Sequence, residues 1–203
     1  VGESRGFDKV SPFFIPMIIA NLAAGRIAIR YGLHGMCTCP VTACAGGSNA
    51  VGDAFHYIRD GYADAMVSGG AEATITSLAI GGFTSMSALT TASDPKRASI
   101  PFDKERSGFV MGEGAGILVL EELEHAKARG AHIYAEVKGY GLSCDAHHIT
   151  APAPDGDGAY RAMAMAVRKA GWKPEAIDLL NAHGTSTPPN GKVETAARTR
   201  PQG

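Results

Sequence analysis

The stretch Val41-Thr42-Ala43-Cys44-Ala45-Gly46-Gly47-Ser48-Asn49-Ala50 organises this chain. Upstream, the residues from Met36 to Val41 are short, apolar or β-compatible, and a strand is expected over 36–43. Downstream, Ala50, Val51, Ala54, Phe55 and Ile58 share one helical face, with Ser48, Asn49, Asp53, His56 and Arg59 on the other, so a helix is expected over 46–60. Cys44 therefore stands where a buried strand turns into a helix, and Gly46 and Gly47 allow close backbone approach. A sulfur there faces unpaired amides and the positive end of a helix dipole, a setting that favours the sulfur anion that attacks carbonyls. Two readings stand side by side at this point: a nucleophile, or a small buried hydrophobe.

The remaining composition bounds the class. The 203 residues are enough for a real core; 45% are apolar, and 19 Lys and Arg nearly balance 20 Asp and Glu. A folded, water-soluble chain is expected, with no field directed at nucleic acid or a membrane surface. The longest greasy segment, Phe13 to Ala24, is broken by Pro16 and Asn21 and falls short of a membrane span. No signal-peptide pattern opens the chain. Cys37, Cys39, Cys44 and Cys144 form neither a C-x-x-C pair nor a disulfide framework, so a reducing, cytoplasmic compartment is expected.

Along the chain, residues 1–10 read as loop. Ser11 and Pro12 open a helix running to Ala24, and a second short one covers Arg26 to Tyr31 before Gly32. Asp64 to Gly70 reads as a strand that completes a β-α-β unit. A short helix is expected near Ser77 to Phe83, then a long polar loop from Ser93 to Gly114. A strand over 117–120 and a charged helix over 121–129 follow, then a strand over 133–142. Asp155-Gly156-Asp157-Gly158 resembles a calcium loop without its later ligands and serves better as the cap of a helix ending at Gly171. Residues 177–182 read as a strand, and Arg198 to Gly203 as a frayed end. His147 and His148 have no metal-ligand spacing and read as loop residues.

His183 closes the strand at 177–182 and is followed by Gly184-Thr185-Ser186-Thr187-Pro188. Ligand sites in α/β sheets gather at such strand ends, although a histidine there also serves structural ends. Catalytic Cys and His pairs meet in space rather than in sequence, so the 139 positions between Cys44 and His183 are no obstacle.

Three blocks in this order carry a resemblance: Thr42-Ala43-Cys44-Ala45 through Phe55, Phe102-Asp103-Lys104-Glu105-Arg106 through Gly116, and Asn181-Ala182-His183-Gly184-Thr185-Ser186-Thr187-Pro188. Ser11 to Met17 and Gly69-Gly70-Ala71-Glu72 fit as well. Together they resemble the β-ketoacyl-acyl carrier protein synthases, the condensing enzymes of type II fatty-acid synthesis, nearest to the synthase II branch. The resemblance implies an α/β fold of thiolase type, an αβαβα layered sandwich present here in part. Residues 1–130 would belong to the N-terminal half, carrying the nucleophile, and 131–203 to the start of the C-terminal half, carrying the first histidine. It implies a homodimer acting on acyl- and malonyl-loaded acyl carrier protein, without metal or redox cofactor.

By the same likeness Cys44 accepts the acyl chain, its backbone amide forms part of an oxyanion hole, and His183 stabilises the enolate left when malonyl loses carbon dioxide. Thr185, Thr187 and Thr150 match positions that hydrogen-bond the pantetheine arm, Phe83 a position lining the acyl pocket. Glu194 keeps a place that, with an Asp, holds a lysine of the family; Gly191 stands where that Asp is usual, and Ser107 replaces another common Asp. The family's second histidine, its lysine and a Gly/Phe-rich gating loop lie beyond the end of this sequence, so an internal fragment is expected. Lys9, Arg26, Arg30, Lys96 and Arg97 are candidates for a carrier-protein patch or are ordinary solvated charge. Two alternatives remain: a catalytically incomplete fragment or non-catalytic partner, and a thiolase using coenzyme A.

Overall fold

In a computed structural model, residues 2–200 are described. The helices are α1 (Gly2–Arg5), α2 (Phe14–Ile18), α3 (Leu22–Tyr31) and α4 (Gly46–Arg59), then, after strand β1 (Ala65–Glu72), α5 (Ser77–Ser85) and α6 (Pro95–Ala98). Strand β2 (Gly114–Glu121) leads to α7 (Leu123–Ala128), α8 (Asp157–Lys169) and α9 (Pro188–Thr199). The chain divides into two compact units, residues 1–68 with 119–122, and residues 69–118 with 123–203.

In the first unit, the expected loop over residues 1–10 instead forms α1 and a 3-10 turn at Phe7–Lys9. The Ser11 hydroxyl accepts from the Phe13 amide at 3.2 Å, but the helix it opens is short. It stops at Ile18, and Ile19 turns to extended backbone (φ −71°, ψ 120°) before a new start at Leu22. Gly25 lies inside α3 rather than interrupting it. Gly32, at φ 65°, ends α3 in the left-handed conformation that glycine adopts without Cβ strain, and the Leu33 amide closes the turn on the Ala28 carbonyl at 2.9 Å. Helix α4 matches its expected span and buries Gly52 and Ala54.

The expected strand over 36–43 is absent: residues 36–42 have no ladder partner, and a 3-10 turn occupies Ala43–Ala45. Strands β1 and β2 form a two-stranded sheet. Its direction follows from its pairs. The Glu122 amide donates to the Asp64 carbonyl at 2.9 Å, whereas Gly69 packs against Gly116 and Ile117, so the strands run antiparallel. A β-α-β unit built on 36–43 is therefore not present.

In the second unit, α5 is capped by the Thr76 hydroxyl, which accepts from the Ala79 amide at 3.2 Å. The long polar loop contains α6, whose Asp94 cap accepts from the Lys96 amide at 2.9 Å while Pro95 fills the first helical position. The charged helix appears as α7, and Gly156 caps α8 with a φ of 67°. Residues 133–142 and 177–182, both expected as strands, lack regular structure. A strand exists only as one member of a ladder, and no segment pairs with either among the described residues. Instead residues 139–141 lie directly on α8. A Cβ on Gly141 would stand 2.8 Å from the Ala166 nitrogen, and one on Gly139 2.9 Å from the Ala170 nitrogen.

Helices α8 and α9 pack together where Gly156 meets Ala197, and Arg200 reaches Asp157 at 2.9 Å. The Asp157 carboxyl lies below the usual carboxylate range, held there first by Arg161 and then by Arg200. Of the frayed end expected over Arg198 to Gly203, Arg198 and Thr199 instead belong to α9, and the last three residues lie outside the described ones.

The buried apolar residues among those described are Ala54, Leu120, Ala126 and Ala197. Large apolar side chains stay open: Phe13 is 69% exposed, Met17 67% and Ile29 78%. Stability therefore depends on a few tight backbone contacts rather than on a broad core. Replacing Gly141 with Ala is expected to cost about 1–3 kcal/mol by forcing residues 139–141 off α8. Gly81→Ala, within α5 and with open space around it, should be neutral or slightly stabilising. Urea unfolding midpoints of the two variants check this, and equal midpoints would contradict the close packing.

Candidate active site

Cys44 lies in the first unit, at the centre of the 3-10 turn that runs into α4. The preceding Ala43 has a φ of 49°, a left-handed conformation unusual for a residue with a side chain. The Ala45 amide donates to the Thr42 carbonyl at 3.1 Å, which tightens the bend. Ala45 is also the residue capping α4, and it has no side-chain acceptor to occupy the helix's first amides. Cys44 is exposed, so its role is not that of a small buried hydrophobe. Reading the sharp turn into a helix from sequence was right; the strand before it is not there.

The remaining candidates belong to the second unit. Glu194, from the second turn of α9, holds the backbone of the histidine: its Oε1 accepts from the His183 amide at 2.6 Å and its Oε2 from the Gly184 amide at 3.1 Å. Asn190 Nδ2 donates to the same Oε2 at 3.1 Å. The imidazole of His183 is left on an exposed residue. Thr185 and Thr187 meet through their hydroxyls at 2.8 Å, and the Thr187 amide donates to Thr185 Oγ1 at 3.3 Å. Thr187 also caps α9. Phe83, on α5, meets Phe109 edge to face with centroids 5.1 Å apart. Thr150 lies in an exposed loop. The structure thus joins His183 with Glu194 and Thr185 with Thr187, while Phe83 and Thr150 each have separate surroundings.

Two supporting residues were not assigned from sequence. The Arg106 guanidinium donates to the carbonyls of Thr187 at 3.1 Å, Pro188 at 2.6 Å and Asp103 at 2.7 Å. Ser186, only 2% exposed, accepts from the Ile100 amide at 3.0 Å. Both lie inside the quoted blocks, but apart from Asp103 their partners lie 81 to 86 positions away, so no local pattern signals them. Gly191 packs beside Arg106, with room for no more than the guanidinium and the Phe102 ring. Ser107 ties the loop back to Thr90, hydroxyl to hydroxyl at 3.0 Å.

Of the basic candidates, Arg97 is bound to Glu105 at 2.8 Å and Asp103 at 3.3 Å, and Lys9 to Asp8 at 2.6 Å. The Glu105 hydrogen bond, then Asp103, raises Arg97 above its ordinary value. These two charges are locally satisfied. Among the described residues no His, Cys, Asp or Glu cluster is arranged to hold a metal ion, and no helix is long and apolar enough to cross a membrane.

Comparison with known proteins completes the picture. Residues 2–126 match the model of the beta-ketoacyl synthase N-terminal domain and residues 134–201 that of the C-terminal domain. A 3-oxoacyl-[acyl-carrier-protein] synthase 2 from a Synechocystis species is 59% identical over 194 residues, covering 95% of this chain and 47% of the relative. The Staphylococcus aureus enzyme of the same name is 55% identical over 184 residues, covering 91% and 46%. The chain spans about half the length of these curated relatives.

Among solved structures, a type II polyketide ketosynthase in complex with its acyl-carrier protein superposes with a TM-score of 0.91 at 39% identity, covering 95% of this chain and 48% of that one. A beta-ketoacyl synthase from Burkholderia phymatum gives 0.90 at 38% identity, covering 96% and 47%. The α/β architecture is therefore part of the thiolase-like layered fold. The exposed cysteine at a strained helix start and the histidine gripped by Glu194 lie in a matching fold and sequence: the chain belongs to the beta-ketoacyl synthase family.

Proposed function

We propose that the protein is a 3-oxoacyl-acyl carrier protein synthase of fatty-acid elongation, with Cys44 and His183 acting on the same pair of thioesters. The observation that carries this reading is the exposed Cys44 at the strained turn into α4, with no side-chain cap on the first amides of that helix. The Cys44 sulfur attacks the carbonyl of an acyl thioester; the new carbon–sulfur bond replaces the one to the carrier, whose thiol leaves. Donors at the helix start, the Cys44 amide among them, stabilise the oxyanion. Malonyl-carrier protein then binds, and its carbon–carbon bond to the carboxylate breaks, releasing carbon dioxide. The electron pair moves into an enolate that the His183 imidazole stabilises by hydrogen bonding. That carbanion attacks the acyl-Cys44 carbonyl, and the sulfur departs. The product is a 3-oxoacyl thioester two carbons longer. The thioesters already activate both carbonyls, so no metal or redox cofactor is required.

Thr185 and Thr187, hydroxyl to hydroxyl beside His183, suit recognition of the amide-rich pantetheine arm, with Thr150 as a third contact. Phe83 lines the acyl pocket. Glu194 acts as a positioning residue: it fixes the backbone of His183 rather than touching substrate. A division near residue 130 into N- and C-terminal halves accords with the two family models, which stop at 126 and begin at 134. The partners are acyl carrier protein and a second copy of the chain, for which the exposed apolar side chains of α2 supply surface.

Incubation with an acyl-carrier thioester should leave an acyl mass increment on Cys44 alone, detected by peptide mass spectrometry; adducts confined to Cys37, Cys39 or Cys144 would refute the assignment. Replacing Glu194 with Gln removes the negative charge and leaves a single neutral oxygen to accept, the other position becoming an NH2 donor. Amide exchange at His183 and Gly184 should then accelerate about tenfold, as expected for loss of one charge-assisted bond. Exchange unchanged from the unaltered protein would show that the carboxylate does not hold this backbone.

A further inference from the structure

The loop 145–153 carries Thr150 and is organised by two of its own side chains. At its base, Asp145 Oδ2 accepts from the Ala153 amide at 2.8 Å, closing the loop on itself. Asp145 also packs against Gly158, at the start of α8. Nearer the tip, His148 Nδ1 faces two successive amides, Thr150 at 3.2 Å and Ala151 at 3.1 Å, with Thr150 Oγ1 at 3.5 Å. An imidazole nitrogen that faces two N–H groups acts as an acceptor, so the ring proton resides on Nε2. The loop takes a tight path to reach this arrangement, since Ala146 has a φ of 48°. No other side chain among the described residues hydrogen-bonds the amides of Thr150 or Ala151.

We propose that His148 is a positioning residue for substrate binding: its Nδ1 gathers the Thr150 and Ala151 amides and sets the direction of the Thr150 hydroxyl toward the pantetheine arm. The inference rests on the reading of Thr150 as a pantetheine contact. The physical reason is local. Thr150 is exposed and lies outside any helix or strand, so no ladder or helical turn restrains its backbone. An acceptor shared by two neighbouring amides bends the chain into a turn, as Asx residues do for their own backbone. The hydroxyl is then presented in one direction, which lowers the ordering cost when the thioester arm binds. An Asn side chain places its Oδ1 on the same γ carbon as the imidazole Nδ1. A Gln places its acceptor one bond farther out, where Nε2 stands.

The test uses the full chain and five variants: His148→Asn, His148→Gln, His148→Ala, Thr150→Val and the double variant His148→Ala with Thr150→Val. Three quantities are read: the nitrogen-15 signature of the His148 ring, amide exchange at Thr150 and Ala151, and the dissociation constant for malonyl-pantetheine. The expected results are an unprotonated Nδ1 in the unaltered protein, and exchange at both amides faster by about fivefold or more in the Ala and Gln variants. Protection at both amides should recover in His148→Asn, and affinity should fall about fivefold in the Ala variant with no further loss when Thr150→Val is added. A proton on Nδ1, or unchanged exchange in His148→Ala, would overturn the proposal, as would failure of Asn to restore protection. An unchanged dissociation constant in Thr150→Val alone would instead overturn the reading of Thr150, while the exchange and nitrogen signals still decide the role of His148.

Discussion

A single carboxylate shared between two consecutive amides holds the backbone of His183 and Gly184 in shape. The segment from His183 to Pro188 bends sharply, with Gly184 at φ 57° and Ser186 at φ 67°, so it cannot satisfy its own backbone groups through a helix or a ladder. Glu194 reaches back from α9 to take the N–H groups of His183 and Gly184. Arg106 takes the carbonyls of Thr187 and Pro188. An anion collects donors and a cation collects acceptors, and buried Ser186 accepts from Ile100 between them. Charge-assisted bonds of this kind are about twice as strong as neutral ones. A strained backbone is thus held by side chains from two other segments, and His183 itself stays exposed.

The turn at Cys44 follows the same logic at smaller scale. Ala43 adopts a left-handed conformation so that Cys44 stands clear of α4, and no side chain occupies the first amides of that helix. Local strain is sustained only where the surroundings over-determine it, and it gathers where chemistry needs a group presented rather than packed. Cys44 and His183 are both exposed, and among the described residues the buried apolar ones are few and mostly alanine.

The helices were readable in the sequence because their ends are written locally. Gly32, Gly61 and Gly171, all at positive φ, stop α3, α4 and α8, whereas α1 and α6 lie in stretches that read as loop. Helix α9 escaped notice because Pro188, Pro189 and Gly191 resemble loop residues, although proline suits the first turn of a helix. Strands were misjudged for a different reason. Residues 36–43, 133–142 and 177–182 have strand-like composition, but a strand is a relation to a neighbour, and the neighbour is not visible in the segment itself. The candidate site divided along the same line. Cys44 and His183 announced themselves through adjacent residues, while Arg106 and Ser186 depend on partners more than 80 positions away, and the grip of Glu194 on the His183 backbone needs α9 to fold 11 positions downstream.

The central claim is that the imidazole of His183 stabilises charge on a thioester whose partner acyl group is carried by Cys44. Release of carbon dioxide from malonyl-carrier protein, measured after Cys44 has been acylated, tests it most directly. With His183 replaced by Ala, acylation of Cys44 should persist while carbon dioxide release falls by about a hundredfold or more, the usual loss when one oxyanion-stabilising donor is removed. Release at the unaltered rate would contradict the account.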